Sequence, residues 1–174
     1  FKTQFACEVK DLDILQFMDR KESRKIDPYS QYAMVAVAEA MQDSGLDLDK
    51  IDLTRAGVIW GSGIGGLKTF QDEVTSFSGG DGTPRFNPFF IPKMIADIAA
   101  GFISIKYGFQ GPNFATVSAC ASATNALIDA FNYIRLGKAN IFISGGSEAA
   151  VTEAGVGGFN ALKALSQRNE DPAT

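Results

Sequence analysis

The sequence of 174 residues contains no histidine and only two cysteines, Cys7 and Cys120. Two cysteines are too few for a disulfide framework, and they cannot form a structural zinc site by themselves. A metal ion would therefore need mainly oxygen ligands, and the sequence has no spacing of the EF-hand type. The missing histidine also means that a cysteine nucleophile in this chain would lack its usual partner.

The chain also lacks long hydrophobic runs and an excess of basic residues. No apolar run is long enough to cross a bilayer, and residues 1–13 lack the basic-then-apolar order of a secretion signal, which predicts a cytoplasmic location. The formal charge of −4 argues against general nucleic-acid binding. With 45% hydrophobic and 21% charged residues, the composition is typical of a soluble globular domain.

Hydrophobic periodicity and turn residues predict an α/β fold. Asp27 is a good helix N-cap, Pro28 a good first helical residue, and Gly45 a good stop. The predicted elements, in chain order, are a helix from 28 to Gly45, a strand over 56–60, helices over 67–77 and 93–107, a buried strand over 114–118, a helix over 120–136 and a buried strand over 140–147. The last three form a right-handed crossover unit with two parallel strands.

The predicted helix over 120–136 has a run of apolar residues at helical spacing. We expect this side of the helix to be its apolar face; its members are Ala123, Leu127, Ala130, Phe131 and Ile134.

A glycine loop, GSGIGG over 61–66, follows the first strand. It satisfies the G-x-G-x-x-G pattern of dinucleotide sites with Gly61, Gly63 and Gly66. However, Leu67 stands where a phosphate-binding loop needs lysine, and no strand ending in an acidic residue follows about 20 residues later. Two interpretations stay open: a nucleotide site, or, as we favour, a tight turn or pocket wall.

Cys120 lies between a predicted strand and the helix that it opens. At the carboxyl end of a central parallel strand, the amides and dipole of the helix start favour the thiolate, and nearby N–H groups could stabilise an oxyanion. Small residues follow in ASATNA and leave room for a substrate. Free cysteine is also among the most buried residue types, so from these residues alone a buried structural cysteine is the alternative. Cys7 lies in no comparable setting, and we interpret it as a buried structural cysteine.

Several motifs in the same order resemble one family. They are RKESRKIDP (20–28), GSGIGGL (61–67), NPFFIP (87–92), YGFQGPN (107–113), VSACASATNAL (117–127) and GGSEAAVTEAGVGGFNALKALSQRNEDP (145–172). Together they are similar to the N-terminal half of a beta-ketoacyl-acyl-carrier-protein synthase, of the elongating type found in bacterial fatty-acid synthesis. The resemblance covers nearly the whole chain and favours the interpretation of Cys120 as a nucleophile.

The resemblance implies a thiolase-like fold, in which two similar halves form an αβαβα sandwich with a mostly parallel sheet. Cys120 would accept a fatty-acyl group from acyl carrier protein, and a carbanion from malonyl-carrier protein would then attack it. Two histidines of the second half assist this condensation, and this chain has neither. We therefore expect residues 1–174 to be an N-terminal ketoacyl-synthase domain, lacking the family's first strand and C-terminal half and inactive in condensation by itself.

The resemblance also assigns supporting residues. Ile64 matches a residue of the acyl pocket, and Phe90 matches one that reaches the partner subunit's acyl pocket in a homodimer. The alternatives are an apolar side chain in a turn for Ile64 and a core aromatic under the proline-rich loop for Phe90. Lys21, Arg24 and Lys25 have i, i+3, i+4 spacing and would form a basic face that steers the acidic acyl carrier protein. A merely solvated run of charges is the alternative. The chemistry requires no metal or organic cofactor. A polyketide-type condensing enzyme and a non-catalytic fragment that pairs with another subunit stay as alternatives.

Overall fold

The computed structural model describes residues 1–173 and shows one parallel sheet of three strands with helices on both sides. The strands are β1 (Ala56–Gly61), β2 (Asn113–Thr116) and β3 (Ile141–Gly146). The helices are α1 (Arg20–Ser23), α2 (Pro28–Ser44), α3 (Leu67–Ser78), α4 (Phe90–Met94), α5 (Ile98–Tyr107), α6 (Ser122–Arg135) and α7 (Glu153–Ala161). The α/β prediction is confirmed.

The sheet has the order β2-β1-β3, and β1 is parallel to both neighbours. The predicted crossover between parallel strands is therefore confirmed, although β1 lies between them. The expectation that Cys120 follows a central strand is wrong for this sheet, because β2 is at its edge. The edge positions of β2 and β3 also explain why both strands are only partly buried, although we predicted two buried strands. All six residues of β1 are buried instead.

The larger part of the core lies between β1 and helices α2 and α5. It contains Val58 and Trp60 from β1, Tyr29 and Ala33 from α2, and Ile103 from α5. The predicted start and end of α2 are confirmed. The Asp27 carboxylate accepts the Tyr29 N–H at 3.1 Å, and Gly45 takes a left-handed φ of +61° that terminates the helix.

Helix α6 packs on the other side of β1, through small residues. Ile59 of β1 forms a buried apolar cluster with Ala126 and Ala130 of α6. Of the apolar side predicted for this helix, Leu127, Phe131 and Ile134 are exposed. Ala130 of the predicted side is buried, but its large members are not, because large side chains would hold α6 away from the sheet.

The predicted continuous helix over 93–107 is wrong. Helix α4 ends at Met94, Ile95 is extended, and α5 begins only at Ile98. The break follows from tertiary contacts, since the Met94 carbonyl accepts the Gly66 N–H at 2.9 Å and the Ile95 carbonyl accepts the Tyr29 hydroxyl at 2.6 Å. These carbonyls are thereby held by the glycine loop and α2.

Two further boundaries differ from the predictions. Strand β2 ends at Thr116, two residues early, because the chain then turns so that the Ser118 N–H can bond to the Ser122 hydroxyl. A 3₁₀ turn, Ala119–Ala121, precedes α6, so Cys120 lies in this turn and not in the α-helix. Among residues 1–173, no helix combines the length and apolar character needed to cross a membrane.

Candidate active site

Cys120 lies in a tight turn between β2 and α6. Its side chain is exposed, so the alternative of a buried structural cysteine is wrong. The residue before it, Ala119, has a φ of +51°, which is the left-handed region that non-glycine residues seldom adopt. This backbone reverses direction within one turn and presents the thiol at the start of α6.

Hydrogen bonds from neighbouring side chains hold this turn. The Ser122 hydroxyl accepts the Ser118 N–H at 2.9 Å and donates to the Ala119 carbonyl at 2.7 Å. The Thr116 hydroxyl donates to the Ser122 carbonyl at 2.7 Å, and the Asn125 amide donates to the Ser118 hydroxyl at 2.6 Å. The conformation on the N-terminal side of Cys120 is therefore fixed from both β2 and α6.

Glycines allow the start of α6 to lie directly on the strand ends. A Cβ atom at Gly146 would lie 2.6 Å from the Ala123 Cβ, and one at Gly61 would collide with the Ser122 backbone. Because real Cβ atoms do not approach so closely, only glycine at these two positions permits the observed packing. The same approach brings Cys120 next to the glycine loop.

A cavity of about 370 Å³ opens beside the thiol. Its wall is made by three segments: the glycine loop, the Cys120 turn and the chain that follows β3. The lining residues are Gly61, Ser62, Gly63, Ile64, Ala119, Cys120, Ser122, Ala123, Gly146, Ser147, Glu148, Ala150 and Phe159. Ile64 and Cys120, two of the predicted site residues, are thus brought together in one cavity.

The backbone amides of the glycine loop all donate within the protein. Glu148 Oε2 accepts the N–H groups of Gly63 and Ile64 at 2.7 and 3.0 Å. The Gly65 N–H donates to the Ser62 hydroxyl at 3.0 Å, and that of Gly66 donates to the Met94 carbonyl at 2.9 Å. A phosphate would need these same donors. The interpretation as a nucleotide site is therefore wrong, and the favoured one, a pocket wall, is confirmed.

Glu148 was missed by the sequence analysis, although it lies in the motif after the third predicted strand. The signal that could have found it is a single carboxylate just beyond the carboxyl end of a parallel strand. Its neighbour Ser147 anchors the segment: the Ser147 hydroxyl accepts the Trp60 indole N–H at 2.9 Å and donates to the Tyr29 carbonyl at 2.7 Å.

Tyr29 supports the cavity from the other face of the sheet. Burial is the main cause that raises the pKa of its phenol to about 12, so the hydroxyl stays protonated and donates to the Ile95 carbonyl. Met94, the residue before Ile95, accepts a hydrogen bond from the glycine loop. Hydrogen bonds therefore connect α2 and the glycine loop through the break between α4 and α5.

Phe90 lies in an aromatic cluster outside the cavity that contains Cys120. Its ring centroid is 5.5 Å from that of Phe86 and 6.3 Å from that of Phe70. Phe90 is half-buried in this cluster. Within the described residues, the structure does not bring Phe90 together with Cys120, and its predicted role toward a partner subunit stays a prediction.

The three predicted docking residues lie together. A surface depression of about 650 Å³ is lined by Arg20, Lys21, Arg24, Lys25, Asn87, Pro88 and Phe89. The Lys25 ammonium lies 5.6 Å from the centre of the Phe89 ring. The prediction gains a fourth basic residue, Arg20, and the role of this basic cluster stays a prediction.

Cys7 is also exposed, so its interpretation as a buried structural cysteine is wrong, but its setting differs from that of Cys120. It lies at another depression, together with Tyr32, Lys68 and Val151, and in no turn at a helix start. Cys120 therefore differs from Cys7 by its geometry and not by its exposure.

Comparison with known proteins agrees with this geometry. The crystal structure of a beta-ketoacyl synthase from Burkholderia phymatum covers 98% of the chain with a TM-score of 0.84 and 28% identity, and the chain covers 42% of it. A complex of a type II polyketide-synthase acyl-carrier protein with its ketosynthase covers 91% with a TM-score of 0.83 and 26% identity, and the chain covers 45% of it. The fold is thus the thiolase-like fold of ketosynthases.

The family is shown by sequence as well. Residues 3–174 match the model of the beta-ketoacyl synthase N-terminal domain, and the chain belongs to this family. It is 43% identical over 169 residues to a 3-oxoacyl-[acyl-carrier-protein] synthase 2 of Synechocystis, covering 97% of the chain and 40% of the relative. A protein of the same name from Staphylococcus aureus is 41% identical, covering 98% of the chain and 42% of the relative. The chain thus spans about two fifths of these relatives.

Proposed function

We propose that this domain supplies the acyl-accepting thiol of an elongating beta-ketoacyl-[acyl-carrier-protein] synthase. The observation that carries the proposal is the exposed Cys120 in a strained turn at the start of α6, beside a cavity of about 370 Å³. The names of the relatives that are 41% and 43% identical support the same activity.

The proposed chemistry begins with transfer of an acyl group to Cys120. The sulfur attacks the carbonyl carbon of an acyl thioester, a new carbon–sulfur bond forms, and the carrier's thiol leaves with the proton that the cysteine gave up. Decarboxylation of a malonyl thioester then produces carbon dioxide and a carbanion, which attacks the acyl carbon and releases Cys120. The product is a 3-oxoacyl thioester.

This domain supplies the nucleophile and not every group that the condensation needs. The sequence contains no histidine. In the proposed enzyme, the two histidines that the family resemblance implies for decarboxylation come from the part of the relatives' length that this chain does not span. A homodimeric enzyme and a cytoplasmic location stay predictions.

The proposed donor of the acyl group is acyl carrier protein. One structural relative was solved as a complex of a ketosynthase with an acyl-carrier protein, which supports a partner of this kind. The basic cluster around Lys21, Arg24 and Lys25 is the proposed docking surface, because an acidic carrier would be steered toward it electrostatically. Ile64 would contact the acyl chain, while Phe90 would act toward a second subunit.

A polyketide-type condensing enzyme is the second candidate. The polyketide-synthase complex with a TM-score of 0.83 favours it on fold. The sequence identities of 41% and 43% to synthases named for 3-oxoacyl products favour fatty-acid elongation. The acyl groups accepted decide between them: saturated acyl chains support elongation, and acceptance of only oxidised polyketide chains would support the second candidate.

The experiment is intact-mass analysis of a full-length enzyme that contains this domain, after incubation with an acyl-carrier thioester. We expect one acyl adduct, which hydroxylamine removes and which Cys120→Ala abolishes. Cys7→Ala is the matched control, because Cys7 is also exposed but lies in no such turn. An adduct that survives Cys120→Ala, or equal labelling of Cys7, would contradict the proposal.

A further inference from the structure

We propose that Glu148 is a positioning residue that sets acyl-chain selectivity by fixing Ile64 relative to Cys120. This inference rests on the proposed function of Cys120. Its basis is a carboxylate that links two walls of the same cavity, the segment after β3 and the amides of the glycine loop.

Glu148 binds the loop at the residue that faces the cavity. Its Oε2 accepts the N–H of Gly63 at 2.7 Å and that of Ile64 at 3.0 Å, and its Oε1 lies 3.4 Å from the Ser62 hydroxyl. Hydrogen bonds from amides to a carboxylate are about twice as strong as those to a neutral acceptor. The backbone of Ile64 is therefore tied to Glu148 and not only to its chain neighbours.

The loop is also confined on the side of the nucleophile. A Cβ atom added to Gly63 would lie 3.1 Å from Glu148 Oε2 and 3.2 Å from the Ala119 carbonyl oxygen. Gly63 thus fills the space between the carboxylate and the turn that carries Cys120. A displacement of Glu148 would therefore change the separation between Ile64 and the thiol.

Glu148 is itself held by the sheet. The Ser147 N–H donates to the Gly61 carbonyl at 3.1 Å, and the Ser147 hydroxyl bonds to Trp60 and Tyr29. Trp60 is 5% exposed and Tyr29 is fully buried, so these anchors belong to the core. The Glu148 carboxylate thereby fixes the position of the glycine loop relative to the core, although the loop consists mainly of flexible glycine.

The consequence concerns selectivity more than reactivity. The Ile64 side chain is 42% exposed, and its position in the cavity depends on its backbone. A fixed isoleucine limits the space for long acyl chains, whereas a released loop lets it move aside. Loss of Glu148 is therefore expected to favour long over short acyl groups, while Cys120 and its turn remain in place.

The test measures single-turnover acylation of Cys120 in a full-length enzyme that contains this domain, with hexanoyl- and palmitoyl-carrier thioesters. In Glu148→Ala we expect the palmitoyl-to-hexanoyl rate ratio to rise about tenfold, since small changes in a pocket wall discriminate by factors of this order. Glu148→Gln keeps an oxygen that can accept the amides, so its ratio changes by less than about threefold.

A double-mutant cycle shows whether the effect passes through Ile64. In an Ile64→Ala background, Glu148→Ala should leave the ratio unchanged, because the side chain that it positions is gone. Asp52→Ala is the control: Asp52 also accepts two hydrogen bonds, from Thr54, but at the other end of β1. Its ratio should equal that of the unmodified enzyme.

Each outcome has a defined meaning. An unchanged ratio in Glu148→Ala, or a change that persists without Ile64, overturns the inference while the proposed function stands. No acylation of Cys120 in the unmodified enzyme overturns the proposed function instead. If Glu148→Ala does not fold, Glu148→Asp decides in the same assay, because its carboxylate is one methylene too short to reach both amides, and its ratio should rise.

Discussion

Helices α2 and α6 cover opposite faces of β1, yet they begin in different ways. Helix α2 begins at Asp27, which is fully buried and whose carboxylate accepts hydrogen bonds from Tyr29 and Thr69. Helix α6 begins after the strained turn at Ala119, and no side chain caps its first residue. One start is closed by a carboxylate, and the other carries an exposed thiol.

The two helices also differ in what they bury. Helix α2 buries side chains that include Tyr29, Met34 and Val37, whereas α6 buries only Ser122, Ala126 and Ala130. The outer side of α6 keeps its large apolar residues exposed. This side is consistent with the two stacked halves that the family resemblance implies. Thus α2 stabilises the domain, whereas α6 presents an exposed cysteine at the expense of local stability.

The largest effect is expected at the capped start of α2. Asp27→Ala removes the N-cap and leaves the buried N–H and hydroxyl of Thr69 without their acceptor, which should lower the free energy of unfolding by about 3 kcal/mol. Urea denaturation measures this loss. The control is Asp47→Ala, an exposed cap of the short turn Leu48–Lys50, which should cost about 1 kcal/mol or less. Equal losses would contradict the ranking.

The apolar sides of the two helices provide the second prediction. Met34 on α2 is 7% exposed, and Met34→Ala should lower the free energy of unfolding by about 2 kcal/mol. Leu127 on α6 is 54% exposed, and Leu127→Ala should lower the free energy of unfolding by less than about 0.5 kcal/mol. Urea unfolding of both variants makes the comparison. A large loss at Leu127 would show that the outer side of α6 is covered in solution, which size-exclusion mass measurement would detect.

The same contrast explains what the sequence could predict of the fold. The bounds of α2 are set by local signals, because Asp27 and Pro28 begin the helix and Gly45 ends it. The buried side of α6 is not a local property. Periodicity selects the large residues Leu127, Phe131 and Ile134, while the sheet accepts only the small ones that let the helix come close to Gly61 and Gly146.

The site was likewise predictable in part. Cys120 and Ile64 follow parallel strands, and the carboxyl ends of such strands meet at one edge, so both reach one cavity. The only sequence signal of Glu148 is its place just after a strand, because the Ile64 N–H that donates to it lies 84 residues away in sequence. The break between α4 and α5 was missed for a similar reason, since distant donors hold the carbonyls of Met94 and Ile95.

The smallest effect is expected at the strained turn before α6. Ala119 has a φ of +51°, which costs an alanine more than a glycine, so Ala119→Gly should raise the free energy of unfolding by about 0.5 kcal/mol. Thermal unfolding measures this as a small rise in Tm. Ala121, two residues later, is the matched control because its φ is −94°, and Ala121→Gly should lower Tm.

The two substitutions are expected to change Tm in opposite directions, which distinguishes backbone strain from loss of packing. Both remove one methyl group from the same turn, so loss of packing would change them in the same direction. Only backbone strain at Ala119 predicts that one variant gains stability while the other loses it. If both lower Tm, the turn is held by its side chains, and the contrast between the starts of α2 and α6 reduces to the missing cap.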